Sequence, residues 1–249
     1  MLTCMVIPHY DHVEQFSRAL PALLACGVPL IVVDDASPAE QYEALERLLA
    51  QHADQVSVVR HGQNQGKGGA VMTGLRTGHE RGFSHAVQVD ADGQHDVQAI
   101  SRLLEQAEQH PGHLICGQPV FGDDISRLRF YARYLTLFLC WLETLSKEIR
   151  DAMCGLRVYP LTPIMQILDD SRPGKRMDFD PEILVRAVWA GIPLNYVPVR
   201  VSYPEHGRSH FHYLQDNLLI TWMHTRMVAG MLIRMPKLLH RKFARTENE

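Results

Sequence analysis

Two aspartates one residue apart, Asp90 and Asp92, end an apolar segment that begins at Ala86. Side chains two positions apart in a strand point to the same side, and Gly93 then favours a turn. Two adjacent carboxylates repel each other unless a cation neutralises them. Mg²⁺ and Mn²⁺ prefer such oxygen ligands and also bind phosphate groups. The pair therefore predicts a metal–diphosphate site at residues 90–94, with a solvated turn as the alternative interpretation.

A second acidic pair, Asp34 and Asp35, follows the apolar run 30–33. An uninterrupted apolar run is typical of a strand that is buried on both faces of a parallel sheet. In such sheets ligands bind beyond the carboxyl ends of the strands. We therefore expect both acidic pairs to face one crevice at the same edge of a sheet.

The elements that must hold these residues alternate between strand and helix patterns. Strands are predicted at 2–7, 30–33, 56–59, 85–90 and 113–117, and helices at 13–25, 64–80 and 97–109. Another helix is predicted to begin at residue 38. We expect Pro8 to stop the first strand, and Ser37 to cap the second helix with Pro38 at its first position. The alternation predicts an α/β domain with a mostly parallel sheet.

Beyond residue 120 the helices become longer. Further elements are predicted as a helix at 126–148, a strand at 154–159, a helix at 178–190 and strands within 192–201. The first of these helices carries Arg129 and Arg133, which lie four positions apart and share a face. Asp178, Asp180 and Glu182 suit the positive N-terminal end of a helix.

The C-terminal segment combines an apolar helix, predicted at 211–235, with a basic tail. Residues 234–249 contain five Lys or Arg against two Glu. Such a helix suits peripheral docking on an anionic membrane surface, and packing on the domain or a homodimer contact is the alternative. We expect Trp222 and the methionines of this helix to pack inside the protein. The chain is thus divided into a domain at 1–205 and a C-terminal element at 206–249.

Composition excludes some classes of function. The net charge of −3 argues against a nucleic-acid-binding protein. Five cysteines lack any paired spacing, which indicates reduced thiols in the cytoplasm. The N-terminal residues lack the basic and apolar regions of a secretory signal, and we find no apolar run long enough to span a bilayer.

Five motifs together resemble the family 2 glycosyltransferases, and within them the dolichyl-phosphate mannose synthase group of polyprenyl-phosphate glycosyltransferases. They are Ile7-Pro8-His9-Tyr10-Asp11, Val32-Val33-Asp34-Asp35-Ala36-Ser37, Asn64-Gln65-Gly66-Lys67-Gly68, Asp90-Ala91-Asp92-Gly93-Gln94-His95 and Asp151-Ala152-Met153-Cys154-Gly155-Leu156-Arg157. They correspond to the family patterns V-P-x-Y-N, V-V-D-D-G-S, N-x-G-K-G, D-A-D-G-Q-H and D-x-x-S-G-F-R. The resemblance spans about residues 1–205.

The resemblance implies a GT-A fold, a Rossmann-like α/β architecture with flanking helices, here followed by the amphipathic C-terminal helix. It implies inverting transfer of a sugar from a UDP- or GDP-sugar to a lipid-linked acceptor at the inner face of the cytoplasmic membrane. The implied metal ligands, for Mg²⁺ or Mn²⁺, are Asp90, Asp92 and Gln94. The implied donor-binding residues are Pro8, Tyr10, Asp34, Asp35, Lys67, Asp90 and Ala91.

The acceptor half departs from the pattern. After Cys116-Gly117 the mannose synthase group has Ser-Arg, where this chain has Gln118-Pro119. Because that arginine contacts phosphate in the relatives, Arg129 and Arg133 are the expected substitutes here. Gly207-Arg208-Ser209 resembles a G-x-S near the end of the domain in the relatives, so Arg208 is also expected to reach a phosphate.

A polyprenyl phosphate is the leading acceptor, with a hydroxyl or carboxyl on another lipid-like molecule as the rival. A phosphate needs no strong base, whereas an alcohol does. The base would then be Asp151, favoured because it lies in a matched motif, with Asp178, Asp180 and Glu182 as other candidates or only helix-start residues.

Two other classes of function stay open from the sequence. One is a non-catalytic nucleotide-sugar-binding protein, against which the intact Asp35, Lys67, Asp90 and Asp92 argue. The other is a nucleotidyltransferase, which would usually carry a Gly-rich loop where this chain has Pro8-His9-Tyr10-Asp11.

Overall fold

The computed structural model of the protein describes residues 1–91, 97–120, 127–200 and 213–246. Its strands are β1 (Thr3–His9), β2 (Leu30–Asp34), β3 (Val56–Arg60), β4 (His85–Gln88), β5 (Leu114–Val120), β6 (Arg157–Pro160) and β7 (Leu194–Arg200). Its helices are α1 (Val13–Leu24), α2 (Ala39–Leu49), α3 (Lys67–Glu80), α4 (Val97–Gln109), α5 (Arg127–Thr144), α6 (Leu161–Asp170), α7 (Phe179–Ala190) and α8 (Tyr213–Thr246), with a 3₁₀ turn at Ala50–His52.

The described strands form one sheet in the order β3-β2-β1-β4-β6-β5-β7. Only β6 runs antiparallel to its neighbours β4 and β5, and the other described pairs are parallel. This arrangement confirms the predicted α/β architecture with a mostly parallel sheet. The amino end of β6 therefore meets the carboxyl ends of β1, β2 and β4 at one edge.

The sheet is covered on both faces. One core joins the sheet to α1, α2 and α4, and contains Phe16, Leu45 and Ile100. The other core joins it to α3 and α5–α8, and contains Leu75 and Ile183. Three layers of this kind bury both faces of the strands, as their continuous apolar runs require.

The prediction that Pro8 stops the first strand is wrong, since β1 continues through Pro8 to His9. The N–H groups of Met5 and Asp35 and the carbonyl of His9 bond along the β1–β2 side, while the Val6 carbonyl bonds to Val89 on the β4 side. The β1–β4 ladder ends at Val6. The backbone nitrogen of Pro8, which carries no hydrogen, is therefore on the β4 side of β1 and beyond the end of β4, so no ladder hydrogen bond is lost.

The predicted cap of the second helix is also wrong. Pro38 is the residue before α2, and no side chain caps this helix. Ser37 bonds elsewhere: its Oγ accepts a hydrogen bond from the Asp11 backbone N–H at 3.0 Å, and its own N–H donates to Asp34 at 3.2 Å. Ser37 therefore joins the ends of β1 and β2 instead of starting a helix.

Other boundaries differ from the predictions in length or kind. The helix predicted at 126–148 ends at Thr144, because Leu145 adopts a positive φ of 51°. Residues 161–170 form a helix that was not predicted. The last helix continues through Pro236 to Thr246, well beyond residue 235.

The last helix has two apolar faces. Met223, Met227 and Met231 are buried against the rest of the protein, as expected. Trp222 is not packed inside, contrary to expectation, since 61% of its surface is exposed. No helix in the described part of the chain is long and apolar enough to cross a membrane.

Candidate active site

The carboxyl edge of the sheet gathers the residues of the predicted site. In the strand register His9 pairs with Asp34, and Gln88 pairs with both Val6 and Arg157. Asp35 and Asp90 follow the ends of β2 and β4 within two residues. The two acidic segments predicted to share one crevice are therefore brought to the same edge.

Lys67 is the centre of the described site. It is the first residue of α3, and its Nζ donates to Asp90 Oδ2 at 2.9 Å and lies 3.1 Å from Asp180 Oδ2. Burial alone would lower the pKa of Lys67, but the two carboxylates raise it above its ordinary value. Lys67 is therefore a permanent ammonium ion between two carboxylates.

A buried polar chain beneath Lys67 holds Asp180 in place. Gln88 Nε2 contacts Asp180 Oδ1 at 3.5 Å, and Tyr159 donates its hydroxyl hydrogen to Gln88 Oε1 at 2.9 Å. Arg157 Nη1 donates to the Asp180 carbonyl at 2.7 Å and lies 3.8 Å from its carboxylate. Because all four side chains are buried, the position of Asp180 is set from several directions.

Gly155 leaves the space that the lysine occupies. A Cβ atom at this position would lie 2.7 Å from Lys67 Nζ, 2.8 Å from Asp90 Oδ2 and 3.0 Å from Gln88 Nε2. Cβ atoms do not approach other heavy atoms so closely, so a side chain here would displace the Lys67 ammonium or the Asp90 carboxylate from its present position. The glycine of the fifth motif therefore belongs to the site through its lack of a side chain.

Asp35 organises the loop that leads into α3. Its Oδ1 accepts a hydrogen bond from the Gln65 N–H at 2.8 Å, and its Oδ2 accepts one from the Gly66 N–H at 2.7 Å. Its backbone carbonyl accepts a bond from Asn64 at 3.1 Å. His61 Nδ1 lies 2.7 Å from the same carboxylate. The second and third motifs thus form one unit that places Lys67.

Asp34 joins β1 and β2 at the site edge. His9 Nδ1 lies 3.2 Å from Asp34 Oδ1, and Arg60 Nε lies 3.5 Å from Oδ2. Burial alone would raise the pKa of Asp34, but hydrogen bonds with His9 and Ser37 lower it below its ordinary value. Asp34 is therefore held as a carboxylate by contacts within the protein.

Arg133 and Asp151, both predicted to act on the acceptor, are in direct contact. The guanidinium of Arg133 forms two hydrogen bonds with the carboxylate of Asp151, one of them 2.6 Å long from Nη2 to Oδ1. Asp151 Oδ1 also accepts hydrogen bonds from the N–H groups of Met153 at 3.0 Å and Cys154 at 2.7 Å. This bidentate pair links α5 to the turn that carries Gly155.

The remaining predicted site residues are described in part or not at all. Pro8 lies in β1, Tyr10 directly follows it, and Ala91 is buried just beyond Asp90. Asp92, Gln94 and Arg208, and the side chain of Arg129, lie outside the described residues.

The donor set of the described part fits a hard divalent cation. Asp90 and Asp180 offer carboxylate oxygens around a position that already holds a cationic group, Lys67 Nζ. Within residues 1–91, 97–120, 127–200 and 213–246, no three His, Cys, Asp or Glu side chains form a ready-made metal cluster. Of the three expected metal ligands, the structure describes Asp90 alone.

Sequence reasoning missed the residues that support the site from below. Gln88, Tyr159 and Arg157 are buried polar side chains in or beside predicted strands. A polar residue inside an apolar strand pattern is the one local signal they give, because buried polar groups need partners. The contacts of Gln88 and Arg157 with Asp180, on a distant helix, leave no local signal.

Curated relatives cover most of the chain. It is 28% identical over 222 residues to undecaprenyl-phosphate mannosyltransferase of Micrococcus luteus, covering 84% of this chain and 87% of that protein. It is 24% identical over 220 residues to UDP-N-acetylglucosamine–dolichyl-phosphate N-acetylglucosaminyltransferase of Methanococcus voltae, covering 82% and 87%. It is 27% identical over 224 residues to polyprenol monophosphomannose synthase of Mycolicibacterium smegmatis, covering 83% and 80%.

Solved structures share the fold. The mannosyltransferase PcManGT from Pyrobaculum calidifontis, in complex with GDP-Man and Mn²⁺, superposes with a TM-score of 0.55 at 16% identity. That superposition covers 83% of this chain and 58% of the other. S. aureus TarS in complex with UDP-GlcNAc superposes with a TM-score of 0.60 at 15% identity, covering 98% and 73%. The predicted GT-A fold is confirmed.

The family follows from a match that covers more than half of the chain. The model of the family described as glycosyl transferase family 2 matches residues 4–168. This range contains the first four motifs with Lys67 and Asp90, as well as the fifth motif with Gly155. The chain therefore belongs to glycosyl transferase family 2 and is a glycosyltransferase.

Proposed function

We propose that the protein is a metal-dependent, inverting glycosyltransferase that moves a sugar from a nucleotide-sugar to a polyprenyl phosphate. The observation that carries this proposal is the Lys67 ammonium between Asp90 and Asp180 at the carboxyl edge of the sheet. A cation and two carboxylates there suit a diphosphate and its metal ion. Relatives named for transfer to undecaprenyl, polyprenol and dolichyl phosphates support this class of acceptor.

The donor is proposed to bind at the ends of β1, β2 and β4. The nucleoside lies against Pro8, Tyr10 and Asp35, and the diphosphate lies near Lys67 and the segment Asp90–Ala91. Asp34, which is fully buried, lies beside them and holds the ends of β1 and β2 together. Asp35 takes part chiefly by holding the loop before Lys67, since both of its carboxylate oxygens accept backbone hydrogen bonds. Structures with GDP-Man and with UDP-GlcNAc share this fold, so either nucleotide is a candidate.

Mg²⁺ or Mn²⁺ is proposed to bind at Asp90, Asp92 and Gln94. When bound, such an ion acts as a Lewis acid that neutralises the charge developing on the departing diphosphate. Lys67 adds a second positive charge to the same region, and Gly155 keeps the space around it open. Asp180 keeps the lysine ammonium oriented through the 3.1 Å contact of their side chains.

The acceptor is proposed to be a phosphate monoester, held by Arg133 together with Arg129 and Arg208. An anionic phosphate oxygen attacks the anomeric carbon from the side opposite the diphosphate, so one displacement inverts that centre and needs no strong base. Both Asp151 oxygens already accept hydrogen bonds from Arg133. A hydroxyl acceptor that used Asp151 as base would have to displace part of this set, which favours the phosphate.

The enzyme is proposed to dock peripherally on the inner face of the cytoplasmic membrane, using α5 and the C-terminal element 206–249. The packed helices α5 and α8 each carry a stripe of exposed apolar side chains. The exposed apolar side chains on α5 are Tyr131, Tyr134, Leu135, Phe138 and Leu142, and on α8 they are Leu218, Trp222, Leu232, Ile233, Met235 and Leu239. An isoprenoid acceptor resides in the bilayer, so docking would bring the site to its substrate.

A transfer assay tests the proposal. Radiolabelled UDP- and GDP-sugars are supplied one at a time with Mn²⁺ or Mg²⁺ and a lipid extract, and label in the organic phase is counted. We expect transfer by the wild type and a loss of at least about 100-fold in Lys67→Met, since Lys67 neutralises the leaving group. Lys175→Met is the matched control, because Lys175 is exposed and its side chain, within the described residues, bonds only to Gln65.

The other outcomes assign the other classes. Sugar-nucleotide binding without transfer to any lipid would favour a non-catalytic protein. Label on a lipid that lacks phosphate would favour the hydroxyl or carboxyl acceptor. Release of pyrophosphate from a nucleoside triphosphate would favour a nucleotidyltransferase.

A further inference from the structure

The last helix reaches the edge of the active site through one buried carboxylate, that of Glu182. This side chain lies in the first turn of α7 and is fully buried. Its Oε2 accepts a hydrogen bond from Arg226 of α8 at 2.9 Å and another from the Gly174 N–H at 2.9 Å. Its Oε1 accepts two bonds from Arg186, at 2.8 and 2.6 Å. Glu182 therefore joins α8 and α7 to the segment before α7.

That segment, residues 174–179, supports the first turn of α3. The Gly69 N–H donates to the Lys175 carbonyl at 2.9 Å. A Cβ atom at Gly66 would lie 2.6 Å from the same carbonyl, and one at Gly68 would lie 2.4 Å from Phe179 Cβ. With such close backbone contact, the segment cannot shift without moving the turn that carries Lys67.

We infer that Arg226 is a positioning residue for the donor site, supplied by the C-terminal helix. Its role in catalysis rests on the proposed function, whereas the contacts that define it do not. A buried carboxylate is costly unless it is paired and hydrogen-bonded. Arg186 pairs with Oε1, and Arg226 pairs with Oε2, the oxygen that also holds the Gly174 N–H. Arg226 thus fixes the carboxylate oxygen that accepts the hydrogen bond from Gly174, the first residue of the segment 174–179.

The inference implies that α8 acts on the donor half of the reaction as well as on the membrane. Arg226 is one turn away from the exposed Trp222, on the same helix. A change at Arg226 should therefore alter how tightly the donor is held, while the chemical step, which needs Lys67 and the acceptor, changes little. The expected signature is a raised KM for the nucleotide-sugar with kcat nearly unchanged.

The test compares Arg226→Met with Arg186→Met in the full-length chain. Both variants remove one arginine from Glu182, but from different oxygens, so they match in charge, and both side chains are partly buried, 15% exposed for Arg186 and 30% for Arg226. Hydrogen exchange is followed at the Gly174 and Gly69 amides, whose hydrogen bonds lie on the route to α3. We expect about tenfold less protection at both amides in Arg226→Met and less than about threefold in Arg186→Met, as for loss of a charge-assisted hydrogen bond.

Binding of GDP and of UDP with Mn²⁺ is measured by calorimetry on the same proteins. We expect about fivefold to tenfold weaker binding in Arg226→Met and near wild-type binding in Arg186→Met. Arg226→Lys, which keeps a charge, should recover part of both losses. If Arg226→Met fails to fold, Arg226→Gln takes its place.

Equal loss of protection in the two variants, or full protection of both amides in Arg226→Met, overturns the inference. If wild-type protein binds neither nucleotide, the proposed function fails. The exchange comparison still judges the structural link, so the two failures can be told apart.

Discussion

Ala36 carries backbone strain at the turn between the two acidic residues and Ser37. Its φ is 61°, a left-handed conformation that disfavours side chains with a Cβ atom. Replacing it with glycine relieves this strain, and the greater freedom of the unfolded chain offsets part of the gain. We expect Ala36→Gly to raise the free energy of unfolding by about 0.5 kcal/mol, measured by urea denaturation.

Ala44 provides the control for this change. It lies in the middle of α2, where glycine is unfavourable, so Ala44→Gly should lower the free energy of unfolding by about 1 kcal/mol. The opposite signs would identify the backbone conformation of Ala36 as the cause. Destabilisation by both substitutions would show that the Ala36 methyl group is held by packing instead.

A side chain at Gly155 is expected to disturb the Lys67–Asp90 pair. Since a Cβ there would lie 2.7 Å from Lys67 Nζ and 2.8 Å from Asp90 Oδ2, Gly155→Ala should push these two groups apart. Crowding of this kind typically costs about 1–3 kcal/mol, which corresponds to about tenfold or more in affinity. We expect GDP or UDP, with Mn²⁺, to bind at least about tenfold more weakly, as measured by calorimetry.

Gly112 is the matched control, because a Cβ there would meet nothing within 4 Å and its φ is not positive. Gly112→Ala should leave nucleotide binding unchanged. Wild-type affinity in Gly155→Ala would mean that the Lys67–Asp90 pair is not part of the nucleotide site.

At the scale of elements, α5 and α8 meet at a buried pair of titratable side chains. Glu143 of α5 lies 2.6 Å from His224 Nδ1 of α8, and both side chains are buried. Burial raises the pKa of Glu143 above its ordinary value, Glu182 raises it further, and His224 opposes the shift. The ionised form of this carboxyl is therefore less stable in the folded protein than in the unfolded chain.

The sign of the pH dependence follows from that raised pKa. Below the ordinary value of about 4.5 the carboxyl is protonated in both states, so it adds no pH dependence. As the pH rises above this value, the unfolded chain ionises first, and the stability contributed by Glu143 declines until the folded carboxyl has also ionised. Each unit of raised pKa is worth about 1.4 kcal/mol.

Glu143→Gln should remove this decline while still bonding to His224. Urea denaturation at pH 4.5, 5.5, 6.5 and 7.5 would follow the difference in unfolding free energy between wild type and variant. We expect the wild type to lose stability relative to Glu143→Gln as the pH rises. A difference that is constant over this range would mean that Glu143 does not titrate with a raised pKa.

Helices and strands were predicted correctly where a single local pattern of apolar residues determines the type of element. The apolar run of β2 and the amphipathic spacing of α1 each follow from burial of one strand or one helix face. The direction of β6 and the existence of α6 did not follow, because strand pairing is set by tertiary contacts that a short segment does not display. The passage of β1 through Pro8 depends likewise on where the neighbouring β4 ends.

At the scale of the whole molecule, sequence patterns predicted which residues meet at the strand ends, but not which residues contact them from other elements. Asp35, Lys67 and Asp90 each follow or begin an element with a recognisable boundary, so the topology of a parallel sheet brings them to one edge. Asp180 also carried a sequence signal, but it was interpreted as a helix start as readily as a site residue. Its contact with Lys67 depends on how α7 packs across the sheet, which the sequence alone does not reveal.

At the same scale, two kinds of surface are candidates for the proposed membrane docking: the basic tail and the exposed apolar stripes of α5 and α8. In the basic tail, Arg234 stacks on Trp189 at 4.6 Å, and Arg241 donates to the carbonyl of Trp189 at 2.9 Å, at the end of α7. These cations serve the fold, so fewer charges are available for anionic lipids. Apolar side chains such as Phe138 and Trp222, 57% and 61% exposed, are expected to dominate docking.

Vesicle flotation tests this ranking. The double variant Phe138→Ser/Trp222→Ser should bind vesicles of phosphatidylcholine and phosphatidylglycerol at least about tenfold more weakly, because two large apolar side chains no longer enter the lipid. Leu2→Ser is the control, since Leu2 is 58% exposed just before β1, where its backbone bonds to Ser84 and His85. Raising NaCl to about 0.5 M should weaken wild-type binding less than the two substitutions do, because salt screens only the charged contribution to binding. If salt abolishes wild-type binding and the double variant still binds normally, docking depends on the basic residues instead of the apolar stripes.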